Sequence, residues 1–102
     1  MTNLHLTETG ALLLPSQLAL NGTFEHRLIQ RGHASQLDDI VPFKLHVEQA
    51  QGAVALSLRI GSQHHSCTLP TDDRRDGERR RLAVTVRNWI EDTANGRVER
   101  AA

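Results

Sequence analysis

The sequence predicts an α+β domain in which an antiparallel β-meander is packed on one face by a long C-terminal helix. Two patterns carry that prediction. The middle of the chain alternates apolar and polar residues at the strand period, and the segment after Gly77 repeats apolar residues at the helix period. Turn-forming residues separate the alternating runs and set them in sequence-adjacent order.

In chain order, Leu4 and Leu6 alternate with His5 and Thr7, and Glu8-Thr9-Gly10 reads as a turn before Ala11 to Leu14. That pair is expected to form a hairpin. Asn21-Gly22, flanked by Leu18-Ala19-Leu20 and Thr23-Phe24, is the strongest two-residue hairpin signal in the chain. A helix from Ser16 to Asn21 competes with the strand reading, which is preferred. Ser35 is suited to cap a short turn through Ile40, ended by Val41-Pro42 because a residue before proline avoids helical geometry.

Phe43, Leu45 and Val47 then alternate with Lys44, His46 and Glu48, so one face is apolar and the other wet. After Gln49 to Gly52, Val54, Leu56, Leu58 and Ile60 face inward while Ala53, Ala55, Ser57 and Arg59 face outward. Gly61-Ser62-Gln63 allows a further turn into His64 to Leu69, which ends at Pro70. From about Gly77 to Ala94, Leu82, Ala83, Val86, Trp89, Ile90, Thr93 and Ala94 fall in one arc at the helical angle, with Val84 the apolar exception on the wet side. Asp76 is the expected N-cap, and Asn95-Gly96 supplies a residue able to turn left-handed and stop the helix. Residues 1–96 are expected to form the single domain and 97–102 a frayed tail.

Composition narrows the function classes. The 102 residues carry 12 acidic and 12 basic side chains, and this balance argues against a polybasic nucleic-acid coat. Only Phe24, Phe43 and Trp89 are aromatic, so aliphatic residues must fill the core and no base-stacking platform is expected. Met1 to Thr9 is polar rather than leader-like, and the longest apolar run, Ala11 to Pro15, falls far short of the roughly 20 residues a membrane span needs. With a single cysteine the expectation is a cytoplasmic protein without membrane contact.

Three constellations are candidates for function. Arg80, Arg87 and Glu91 lie together beyond the edge of the apolar arc, where they are expected to make polar contacts with a partner. Asp72 to Arg81 holds five arginines and four acids. Of these, Arg74, Arg75, Arg79, Arg80 and Arg81 near a helix start suit phosphate, although the local excess of charge is small. His64-His65-Ser66-Cys67 has ligand types proper to zinc or copper but the wrong spacing: on a strand His65 and Cys67 share one face and His64 takes the other, so further ligands such as His5 or His46 would be needed. No glycine-rich phosphate loop or dry carboxylate pair is evident.

The reading favoured by the sequence is a small cytosolic interaction or regulatory module, non-catalytic, without cofactor or metal, and a homodimer because a small sheet covered by one helix leaves a face or an edge open. The alternatives are a nucleic-acid-associated regulator using the arginine cluster and a metal-binding protein using His64, His65 and Cys67.

Overall fold

The computed structural model of the chain describes residues 4–30, 40–71 and 77–96. The elements are β1 (Leu4–Leu6), α1 (Glu8–Gln17), β2 (Gly22–Gln30), β3 (Ile40–Ala50), β4 (Ala53–Ile60), β5 (Gln63–Pro70) and α2 (Glu78–Ala94). The strands form one sheet in sequence order, β1-β2-β3-β4-β5, antiparallel throughout. The α+β meander with a C-terminal helix is therefore the observed fold.

Register explains why the alternation is decisive. Phe24, Leu45 and Leu58 are cross-strand neighbours, as are Val47, Leu56 and Cys67, so the apolar residues of successive strands fall on one face. Leu28, Phe43, Leu45, Val47, Val54, Leu56 and Leu58 are all buried there. Leu82, Ala83, Val86 and Ile90 of α2 close the same cluster, with Trp89 half-buried at its margin. Val84 stands on the solvent side. At about 25 cal/mol per Å² of apolar area buried, this one cluster is the main source of stability.

The first third differs from the expected pair of hairpins. Residues 8–17 are helix α1, neither a turn with a strand nor the competing Ser16–Asn21 helix. Thr7 caps it, its hydroxyl accepting from the Gly10 N–H at 3.1 Å. The buried positions Gly10, Leu14 and Leu18 recur every four residues and face the sheet. Gly10 packs closely against its neighbours: a Cβ there would meet His26 Nδ1 and Leu6 Cδ1 at 3.0 Å, so a larger residue needs one of those side chains to give way. Asn21-Gly22 makes no hairpin either. Gly22 opens β2, and the Asn21 carboxamide oxygen accepts from the Gln49 N–H at 2.6 Å, tying the end of the α1 turn to β3. Helices α1 and α2 therefore share the inner face, where one helix was expected.

Further differences concern ends. Pro42 lies inside β3, opposite Arg27 of β2, and β4 reaches only as far as Phe43, so no ladder bond to β4 is lost at the ring. Gly77, at φ +75°, occupies the N-cap position of α2 that was assigned to Asp76 and makes no side-chain cap bond. Asp76, the Ser35 turn and the 97–102 tail lie outside the described residues. At the other end Gly96, at φ +72°, stops α2 as expected, with its N–H bonded to the Thr93 carbonyl at 3.2 Å.

One buried titratable group follows from this packing. His26 is 6% exposed, stacks on Phe43 and bonds through Nε2 to the Gln17 carboxamide oxygen at 2.5 Å. Burial pushes its pKa below the ordinary 6.5. The unfolded chain thus takes up the proton before the folded one does. This contribution to stability is complete above the ordinary histidine value and is lost progressively as the pH falls towards the lowered one. Urea unfolding between about pH 7.5 and about pH 5.5 is expected to show stability falling on acidification, with a shallower fall in His26→Gln. Equal slopes in the two proteins would remove His26 as the cause.

Candidate functional site

A meander sheet has two edge strands, β1 and β5. The structure treats them differently. In β1, Thr7 N donates to the Arg27 carbonyl at 3.3 Å on the β2 side, so by alternation the backbone groups of Leu4 and Leu6 point away from the sheet. The C-terminal end of α2 meets them. Glu91 Oε2 accepts from Leu6 N at 2.8 Å, Asn95 Oδ1 accepts from Leu4 N at 2.7 Å, and Asn95 Nδ2 donates to the Leu4 carbonyl at 3.0 Å. Asn95 is held in turn by a bond from Nδ2 to the Glu91 carbonyl at 2.7 Å. This edge is closed by side chains acting as a surrogate strand.

The β5 edge has no such cover among the described residues. Thr71 N donates to the Gly52 carbonyl at 3.0 Å, which fixes the parity of the β4–β5 ladder. The odd-numbered residues Gln63, His65, Cys67 and Leu69 bond to β4, and the N–H and C=O of His64, Ser66 and Thr68 point outward. Natural edge strands are blunted by shortness, by a bulge, by lysine or by a central proline. None of these protects β5. It is eight residues long, its register with β4 is uninterrupted, it carries no lysine or arginine, and its proline is its last residue. Its inward side chains His65, Cys67 and Leu69 are only half-buried, unlike their fully buried neighbours on β4.

The residues singled out from sequence fall into three groups. Arg80, Arg87 and Glu91 do not form one free outer surface. Glu91 is drawn to the backbone of β1, Arg87 Nε donates to Glu91 Oε2 at 3.4 Å, and His5 Nδ1 stands 3.9 Å from the same oxygen. Arg80 is left exposed. In the arginine cluster, Arg81 is paired with the buried Glu78 at 2.6 Å, Arg79 and Arg80 are exposed, and Arg74 and Arg75 lie outside the described residues. In the last group, β5 turns His64 to one face and His65 and Cys67 to the other. Among the described residues no three histidine, cysteine or acidic side chains come together as a metal-ligand set. Burial also raises the Cys67 thiol, which keeps it protonated and a weak nucleophile.

The residues missed from sequence are therefore backbone positions, Ser66 and Thr68 above all, and Asn95 as a sealing group; Glu91 was singled out, but for an outward contact rather than for the bond to Leu6 that it makes. Strand parity was the available signal for the first two, since the hairpin at Gly61-Ser62 fixes which amides face outward. No helix among the described residues is long and apolar enough to cross a membrane. No family model, curated protein or solved structure matches this chain.

Proposed function

We propose that the protein is a small, non-catalytic interaction module of regulatory type that works as a homodimer in the cytoplasm, its two copies joined antiparallel along β5. The observation that supports this reading is the contrast between its edges: one closed by Glu91 and Asn95, the other long, regular and uncovered among the described residues. A second copy of β5 is the occupant that best matches the edge. A two-fold axis at Ser66 sets Ser66 against its own equivalent and His64 against Thr68 of the other copy. All three outward N–H groups then meet a carbonyl. The proline at position 70 falls beyond this central register, where its missing N–H costs nothing. The same pairing extends the inner face, so that the half-buried Cys67 and Leu69 gain cover that the single copy does not give them.

Disulfide trapping tests the register. With Cys67→Ser removing the native thiol, Ser66→Cys sets two thiols in directly opposed positions, about 5.5 Å apart at Cα, within the range a disulfide spans. Mild oxidation is expected to convert most of this protein to a cross-linked dimer, and a cysteine at Thr68 on the same background is expected to cross-link far less. Equal trapping at both positions, or none at Ser66, would contradict the register.

A further inference from the structure

The helix-free face of the sheet carries a rank of polar and charged side chains, of which the pairing of β5 uses only the His64 backbone. Glu25, Lys44, Arg59 and His64 are directly aligned across β2, β3, β4 and β5, and the next rank is Thr23, His46, Ser57 and Ser66. Lys44 stands directly opposite Arg59. Like charges in that position destabilise a sheet. The acid of the rank offsets only one of the two cations: Glu25 makes a loose, largely exposed ion pair with Lys44 at 3.9 Å, and Arg59 has no acidic partner among the described residues.

Two open depressions meet at this pair. The smaller, of about 200 Å³, is lined by Thr23, Lys44, His46, Ser57, Arg59 and His64, so every lining side chain brings a hydrogen-bonding group. Thr23 Oγ1 and His46 Nδ1 are already linked at 2.8 Å, which fixes one wall. Serine at position 57, in the next rank between His46 and Ser66, brings only a short side chain to the floor beside the long basic pair. The larger, of about 460 Å³, shares Lys44 and Arg59 and runs on past Pro42, Phe43 and Gly61.

We propose that this face binds a phosphorylated small molecule, its phosphate between Lys44 and Arg59 in the smaller depression and its organic part in the larger. A terminal phosphate offers three oxygens to a lysine point charge and a guanidinium fork, and neutralises the repulsion between the two. A nucleic acid fits the face less well. Arg27, Lys44 and Arg59 are offset there by Glu25 and Glu48, a formal excess of one positive charge with histidine neutral, too little for a polyanion that demands several neutralised phosphates. The phosphate-holding pair Lys44 and Arg59 lies on β3 and β4, and the β5 pairing takes up only the backbone of His64, so either proposal can fail without the other.

The test is a titration of the full chain, followed by amide chemical shifts, with glycerol phosphate and with inorganic phosphate, against sodium chloride at matched ionic strength. Both phosphates are expected to give saturable shifts centred on Lys44, Ser57, Arg59 and His64, the monoester binding more tightly through the second depression. Lys44→Gln with Arg59→Gln is expected to weaken binding about tenfold or more while leaving the dimer mass in place and the melting temperature unchanged or slightly raised, since it removes a repulsion on an exposed surface. Identical shifts with chloride, shifts centred on Arg79 to Arg81, or tighter binding of a DNA oligonucleotide at the same amides would each overturn the proposal.

Discussion

Ser66→Pro is expected to convert the protein to a monomer without unfolding it. The Ser66 N–H points away from β4, so the ring deletes no bond of the β4–β5 ladder, and the extended residue before it suits a proline. In the pair of copies the same ring removes two central N–H donors, one from each, and sets bulk at the two-fold axis. Two lost bonds and the carbonyls left without donors amount to about 3 kcal/mol, and association is expected to weaken by about a hundredfold or more. The neighbouring substitution gives the opposite pattern. The Cys67 N–H bonds to β4 beside buried Leu56, so Cys67→Pro is expected to cost the fold itself about 1–3 kcal/mol. Circular dichroism, melting curves and sedimentation on the two variants separate edge from ladder. A dimeric Ser66→Pro protein would place the contact elsewhere.

The second large effect is expected at the closed edge. Glu91→Ala strands the partly buried Leu6 N–H and frees Arg87 and His5 from their shared acceptor, at a cost of about 2–3 kcal/mol for a charge-assisted bond. Glu91→Gln, which keeps an acceptor oxygen, is expected to cost less. Asn95→Ala removes both bonds to Leu4 as well as the bond to the Glu91 carbonyl. Because Glu91 and Asn95 serve one strand and touch each other, their costs are not expected to add. Stability is only half of the effect. With β1 uncovered the sheet has two open edges, and a chain that pairs at both ends grows without closing. The double variant Glu91→Ala, Asn95→Ala is therefore expected to form species larger than a dimer, visible in light scattering, and Ser66→Pro on the same background is expected to shorten them. Loss of stability with no change in association would separate the seal from any role in limiting assembly.

These two edges also show what the sequence revealed and what it hid. Strands β3 and β4 and helix α2 were legible because each has one apolar face at its own period, and β5 because the turn at Gly61-Ser62 leads into it and Pro70 ends it. Helix α1 was not. Its buried stripe consists of Gly10, Leu14 and Leu18, one of them without a side chain, while Leu12 is 81% exposed and Leu13 46%. Apolar residues thus lie on both sides of α1, and Pro15 adds a false stop signal. Once α1 is a helix, β1 returns to pair with β2 and becomes one edge of the sheet, while β5, the last strand of the meander, is the other. Glu91 was read as an outward contact for a related reason. Its partner Leu6 lies 85 residues away, and nothing local to α2 shows that the β1 backbone passes there. The rank from Glu25 to His64 was likewise hidden: Lys44 and Arg59 were read as outward and His64 as opposite in face to Cys67, but Glu25 had no assigned face, and the alignment across four strands exists only in the register.

The central claim is that this chain is built to pair along β5, and sedimentation equilibrium of the natural sequence tests it most directly. Across concentrations from low micromolar upward, the account predicts a reversible shift from the 11.4 kDa chain to twice that mass and no further, with Ser66→Pro held at the single-chain mass throughout. A natural sequence that stays at the single-chain mass at every concentration, or one whose dimer is unchanged by Ser66→Pro, would contradict it.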